Sequence, residues 1–305
     1  MIKIALAQQD FPVGDMTGNL ARARKSIASA IEKGADLILF PEMAISGYPP
    51  EDLLLRPGFM RRCHDVLDEL VAGVQGIDVV IGHPWADGDE RFNAVSWVRD
   101  GAVLGRYYKQ ILPNYAVFDE RRYFCAGSKP MVIEKKGCRF GVIVCEDAWV
   151  QGPASSTKAA GAEILLVPNA SPFRDNKLQA RLGALHDRLE ECGLPVVYSN
   201  LVGGQDELVF DGDSMVFTAG GEELYRARQF GEELFVVDVP LPPVRSVNGD
   251  TVVVTPTPRQ PKPALPPPVK SRSWASLGSR SEFFAKRTRP SSTTTMVSHT
   301  PPTVV

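Results

Sequence analysis

Three reactive side chains follow three apolar segments of strand length. Glu42 comes just after ADLILFP, Lys109 after AVLGRYY and Cys145 after RFGVIV. In layered α/β proteins, sites gather beyond the carboxyl ends of strands, so equivalent placements point to one shared rim. The three types form a coherent chemical set. Cysteine is a strong soft nucleophile, but the thiol needs a base or a lowered pKa. Glu42 can take that proton if burial raises its carboxyl towards neutrality. Lys109 can stabilise the thiolate and a developing oxyanion. Glu120, in the polar loop FDERRYF (118–124), can orient the lysine and pass a proton to a leaving amine. Taken singly, each is also an ordinary residue. A lone Cys is most often a small buried hydrophobe, and a Glu or Lys after a strand is usually solvated. The neighbours of Cys145 tip the balance, because a structural thiol does not call for Glu146, Asp147 and Trp149 beside it.

The histidines offer no Cys–His pair. His64 (RRCHDVLDEL) and His186 (LGALHDRLEE) fall on helix faces, and His83 precedes Pro84 after a strand. None has metal-ligand spacing, which argues against a zinc site, and Glu–Lys–Cys chemistry itself requires no metal or organic cofactor.

These side chains need a scaffold that ends several strands on one rim, and the sequence reads that way. Strands are expected at 2–8, 35–40, 77–82, 92–98, 102–108, 131–134, 139–144, 164–169, 195–200 and 234–239. Helices are expected at 19–33, with Asn19 as N-cap and Gly34 as stop, and at 57–73, 154–161 and 175–192. Asp100-Gly101 and Lys136-Gly137 are hairpin signals, and further hairpins are expected near Asp211-Gly212 and Gly220-Gly221. Strand–helix units interleaved with hairpins predict an α/β body of mixed sheets covered by helices.

Composition narrows the classes. The chain has 305 residues, 44% hydrophobic and 23% charged, as in ordinary globular proteins. No apolar run reaches the roughly 18 residues of a membrane span. The start, MIKIALAQQDFPVGD, lacks the basic and small-residue features of a signal peptide, so a cytoplasmic location is expected. Five cysteines without a CxxC pair then read as free thiols. The net charge of −2 hides a split: residues 1–239 carry 25 basic and 34 acidic residues, whereas 240–305 carry nine and two. The second segment also holds 13 of the 25 prolines.

The motifs identify a relationship. DLILFPEMAISGYPPEDLLLRPGF (36–59), GRYYKQILPNYAVFDERRYF (105–124), GVIVCEDAW (141–149) and LLVPNASPF (165–173) resemble the nitrilase, or carbon–nitrogen hydrolase, superfamily. Within it they are most similar to the glutaminase domain of glutamine-dependent NAD+ synthetases. The resemblance covers residues 1–239 and implies a nitrilase-like four-layer α-β-β-α sandwich with mixed sheets. It implies Glu42 as general base, Lys109 as electrostatic stabiliser, Cys145 as nucleophile and Glu120 as supporting carboxylate. It also implies a glutamine pocket at Tyr115, Ser171 and Lys177, with Glu146 holding the substrate's amino group and Tyr48 lining the same space. Opposite charges suit an α-amino acid, although ordinary loop polarity also accounts for such residues.

The family's synthetase half carries an ATP-binding loop of the form SGGxDS, and no such string is present here. Residues 240–305 read as an extended Pro-rich, basic linker or tail, disordered in isolation. The expectation is a linker whose following domain is missing. The other readings are a tail that docks on a separate partner, or one drawn to nucleic acid by charge alone, without an organised motif. The expected partners are glutamine or a similar small amide, at least one further copy of the chain, and a separate or missing NAD synthetase domain. No membrane and no specific nucleic acid are expected. Two other functions stay open: a stand-alone amidase or nitrilase acting on another small amide, and an ammonia-supplying or scaffold subunit active only in a complex.

Overall fold

The first strand, β1 (Ile2–Gln8), has its apolar residues buried on both faces in a computed structural model that describes residues 1–241. Ile2, Ile4 and Leu6 belong to one apolar cluster, and Ala5 and Ala7 to another. Successive side chains on a strand point to opposite faces, so this strand needs one layer above it and another below. The chain supplies them in order. After β1 come α1 (Met16–Glu32), β2 (Leu37–Leu39), α2 (Pro57–Gly73), β3 (Asp78–Asp87), β4 (Glu90–Arg99) and β5 (Ala102–Tyr108). Then follow β6 (Met131–Lys135), β7 (Cys138–Val142), α3 (Pro153–Ala159), β8 (Ile164–Asn169), α4 (Lys177–Cys192) and β9 (Val196–Asn200). The last are β10 (Val202–Gln205), β11 (Leu208–Asp211), β12 (Met215–Phe217), β13 (Glu223–Arg226) and β14 (Glu233–Val239).

Two six-stranded mixed sheets result, ordered β14-β1-β2-β3-β4-β5 and β13-β12-β9-β8-β7-β6. In each, three neighbouring strands run parallel (β1, β2, β3 and β7, β8, β9), and every other pairing is antiparallel. The inner faces meet through Leu6, Leu39, Val80 and Trp97 on one sheet and Phe140, Val142, Leu166 and Val197 on the other. Leu20 and Ile27 of α1 and Val66 and Leu70 of α2 cover the outer face of the first sheet. Leu185 and Leu189 of α4, with Ala154 of α3, cover the second. This is the expected α-β-β-α sandwich. One end of the sheet pair is tied by buried Asp78, which accepts from Trp97 Nε1 (2.7 Å), Arg99 Nη2 (2.6 Å) and Lys135 Nζ (2.8 Å).

Some local expectations need correction. α1 begins at Met16, capped by Asp15, whose Oδ1 accepts the Gly18 N–H at 3.0 Å. Asn19 is not the cap; it is buried and donates to the carbonyls of Pro12 and Ile45. β3 runs on to Asp87 through Pro84. Beyond Val80 it no longer pairs with β2, and at such an unpaired edge a missing N–H is tolerated. No hairpin turns at Asp211-Gly212; β10 and β11 reverse at 206–207, and Asp211 ends β11 as a buried ion-pair partner. Asp100-Gly101 and Lys136-Gly137 do turn hairpins, with all four residues at positive φ as type I′ turns require. The five cysteines are free thiols. No described helix is long and apolar enough to cross a membrane. The tail expected from residue 240 lies, from residue 242 on, outside the described residues.

Candidate active site

Glu42 follows β2 on a turn that crosses directly over β3. Met43 takes a positive φ of 55°, and Ile45 N–H donates to Gly82 O at 3.2 Å. A Cβ on Gly82 would lie 2.4 Å from Met43 N, so only glycine lets the turn sit this close. The Glu42 carboxylate is 1% exposed and held from three sides. Its Oε1 accepts from Asn93 Nδ2 (2.6 Å) and Lys109 Nζ (2.8 Å), and its Oε2 from Ala170 N–H (2.9 Å).

Lys109 leaves the end of β5 fully buried. Its N–H donates to Asn93 O and its carbonyl accepts from Gly127. The ammonium bridges two carboxylates, Glu42 Oε1 at 2.8 Å and Glu120 Oε1 at 2.9 Å. Burial alone would push its pKa down, but the Glu120 and Glu42 charges outweigh it and hold the ammonium well above the usual lysine range. Glu120 also accepts from Tyr48 Oη at 2.9 Å, while its Oε2 has no partner. Burial pushes the Glu120 carboxyl up to about 7, against the opposing pull of Lys109. Burial likewise keeps the Tyr48 hydroxyl protonated, as a donor.

Cys145 opens a short 3-10 turn (Cys145–Ala148) after β7. Its φ is +45°, a left-handed conformation that costs on the order of 1 kcal/mol or more in a residue with a Cβ and tends to mark functional turns. Burial, and then the negative charge of Glu42, push the thiol well above its ordinary pKa; Lys109 pulls the other way. The resting group is therefore a thiol, and attack requires its proton to be taken away. Asp147, in the same turn, is 0% exposed. Burial raises its carboxyl to about 6, against four hydrogen bonds donated to it.

The expected substrate contacts lie around this centre. The Tyr115 hydroxyl donates to Glu146 Oε1 at 2.9 Å, and burial with that carboxylate raises the phenol to about 12. Lys177, at the start of α4, places its ammonium 3.8 Å from the centroid of the Trp149 ring. Burial lowers the pKa of Lys177, while the Cys145 and Glu146 charges raise it. Ser171 is 2% exposed and exchanges hydrogen bonds with Asn200; it adjoins Ala170, whose N–H holds Glu42. The structure thus joins Glu42, Lys109, Glu120 and Tyr48 in one hydrogen-bonded chain, with Cys145 within its electrostatic reach and Glu146 and Lys177 beside it. His83 is buried outside this chain, bonded to Ser96 Oγ at 2.7 Å, with its pKa pushed well down by burial.

Sequence reasoning missed three contributors. Asn93 holds both Glu42 and Lys109, and the only hint was a polar residue inside the apolar strand FNAVSWV. Ala170 acts through its backbone, which leaves no side-chain signal. Asp147 was visible as a neighbour of Cys145, but its partners 107, 110, 111 and 144 only a structure brings together.

Two mixed six-stranded sheets flanked by helices are an α/β fold of the nitrilase-like class. The carbon-nitrogen hydrolase family pattern matches residues 3–248, and the chain belongs to that family. A glutamine-dependent NAD(+) synthetase from Xanthomonas campestris pv. campestris (strain 8004) is 48% identical over 240 residues, 78% of this chain and 44% of that protein. The structure of a glutamine-dependent NAD+ synthetase from Acinetobacter baumannii in complex with ADP superposes with a TM-score of 0.75 at 38% identity, covering 77% of this chain and 45% of the other. The chain thus spans about half the length of the curated relatives it matches. The NitN amidase of Nesterenkonia sp. AN1 is matched over 93% of its length and 79% of this chain, with a TM-score of 0.71 and 28% identity. A mutant of that amidase carries the acetamide moiety of fluoroacetamide covalently on its active site cysteine.

Proposed function

We propose that this protein hydrolyses the side-chain amide of glutamine to glutamate and ammonia through a thioester on Cys145. The observation that carries the reading is the buried Lys109 ammonium, shared between Glu42 and Glu120 beside a thiol that burial keeps protonated. Glu42 takes the thiol proton as Cys145 Sγ attacks the amide carbon. The Lys109 charge stabilises the tetrahedral oxyanion. As the C–N bond breaks, Glu42 passes the proton it took from the thiol to the nitrogen, which leaves as ammonia, and a γ-glutamyl thioester remains. Water then gives a proton to Glu42, attacks the thioester carbon and releases glutamate and the thiol. Glu120 orients Lys109 and, with its carboxyl at about 7, exchanges protons near neutrality. The chemistry calls on no metal or organic cofactor.

Glutamine is favoured over simpler amides by the opposite charges around Cys145. Glu146, braced by Tyr115, faces the substrate ammonium; Lys177, seated on Trp149, faces its carboxylate, with Ser171 and Tyr48 completing the pocket. The likeness to NAD(+) synthetases supports a role as the ammonia-supplying part of glutamine-dependent NAD+ synthesis, in a cytoplasmic assembly of at least two copies. A second reading, a stand-alone amidase, draws on the match to nearly the full length of the Nesterenkonia enzyme. Glutamine and uncharged amides assayed side by side on the wild type and Cys145→Ala decide the matter. The proposal expects glutamine turnover that the substitution abolishes. Turnover retained by Cys145→Ala refutes the mechanism, and turnover of uncharged amides alone favours the second reading.

A further inference from the structure

Asp147 has no hydrogen bond to the Glu42, Lys109 or Glu120 side chains, although the Lys109 charge acts on it, and its carboxylate is bonded to both arms of the site. Oδ1 accepts the N–H groups of Gln110 (3.1 Å) and Ile111 (2.8 Å), the two residues after Lys109. Oδ2 accepts the Tyr107 hydroxyl (2.8 Å), two residues before Lys109, and the N–H of Val144 (3.0 Å), just before Cys145. The lysine arm leaves β5 in the first sheet, and the cysteine arm leaves β7 in the second. The facing side chains of the two sheets are apolar, and apolar packing is non-directional; other polar ties between the sheets, such as Lys135 to Asp78 and the Ala170 N–H to Glu42, hold neither the lysine arm nor the cysteine arm. Hydrogen bonds to a carboxylate are directional and strong. Three of them cross from the lysine arm, and the fourth, from Val144, holds the carboxylate in its own turn; meeting on one 0% exposed side chain, they set where the two arms stand relative to each other.

We propose that Asp147 is a positioning residue that fixes Lys109 against the Cys145 thiol across the two sheets. This rests on reading Lys109 and Cys145 as the reacting pair. An asparagine has the same shape but presents one acceptor oxygen where two are needed, so its amide nitrogen must face a donor N–H. Displacing reacting groups by about 1 Å costs on the order of 100-fold.

The test compares Asp147→Asn, the milder Tyr107→Phe, which removes one donor, and Lys135→Met. The last removes one donor from Asp78, the buried carboxylate that ties the sheet pair away from the site. Three readings are taken: the rate of Cys145 alkylation by iodoacetamide, followed on its own peptide by mass spectrometry; kcat and KM for glutamine; and thermal unfolding. Tyr107→Phe should slow alkylation and lower kcat by about tenfold, with KM unchanged. Asp147→Asn should do so by on the order of 100-fold. Lys135→Met should lower only the unfolding temperature. Should Asp147→Asn fail to fold, Tyr107→Phe decides. Wild-type alkylation and kcat in Tyr107→Phe overturn the proposal, as does an equal loss in Lys135→Met or a wild-type Cys145 that resists alkylation. Alkylation needs no substrate. If Tyr107→Phe slows it while the wild type turns over no glutamine, the glutaminase reading fails and the positioning role stands.

Discussion

Replacing Lys109 with methionine keeps most of the volume and removes the charge between two carboxylates. Glu42 loses its 2.8 Å donor but keeps Asn93 and the Ala170 N–H; removing one partner of a buried ion pair costs about 3–5 kcal/mol. Glu120 has an outlet, because burial already sets its carboxyl at about 7. A carboxyl with a folded pKa above its unfolded value gives its full stability below the unfolded value and loses it as pH rises through the folded one. In the wild type that loss is complete soon above pH 7. In the variant Glu120 stays protonated to higher pH, and the loss goes on at about 1.4 kcal/mol per pH unit. The stability gap should therefore be constant between pH 5.5 and 6.5 and widen above 7. For a body of this size, that is about 3–6 °C of extra difference in Tm per pH unit. Removing the oxyanion stabiliser should also lower kcat by about 10²–10³-fold. Thermal unfolding of both proteins from pH 5.5 to 8.5, with glutamine turnover at each pH, checks both parts. A gap that stays constant or narrows above pH 7 refutes the electrostatic reasoning, and kcat within tenfold of wild type refutes the role of the lysine.

Gly82→Ala should place its Cβ about on top of Met43 N, at 2.4 Å; shifting the turn costs about 1–3 kcal/mol and should lower kcat on the order of 100-fold through Glu42, and kcat within twofold of wild type counts against this. Arg181→Met removes the counterion of buried Asp211 and Asp213, which it meets at 2.8 and 3.2 Å; the expected loss is about 3–5 kcal/mol, read as a fall in Tm. Lys177→Met should raise KM for glutamine about tenfold with kcat little changed, and leave turnover of propionamide as it was; an equal effect on both amides removes Lys177 from carboxylate recognition.

Much of this was legible from residue types and spacing, because strands buried on both faces write themselves as apolar runs. ADLILF, RFGVIV and ILLVPN each ended where a candidate side chain or its support began. The candidate residues stood out for the same reason: Glu42, Lys109 and Cys145 each follow an apolar run directly. What stayed hidden acts through the backbone or through residues distant in sequence. Ala170 contributes an N–H that any residue but proline would supply, and Asn93 reads as one more strand residue. Gly82 looks like a strand end until the Glu42 turn is seen lying on it. The true cap of α1 was missed because Asp15 and Asn19 both suit an N-cap, and burial, which the sequence does not print, chose between them.

The pairing of β1 with β14 places Ile2 opposite Val239, and this has a consequence for synthesis on the ribosome. One edge of β1 is paired early by β2, about thirty residues on; the other stays open until β14 has been made. At roughly 5–20 residues per second, the first strand waits about 10–50 s with unpaired N–H and C=O groups along that edge. Such an edge is a template for pairing with another chain. The nascent protein is therefore most exposed to misassembly just before its last strand emerges, and any shortening that removes Glu233–Val239 would leave it there permanently.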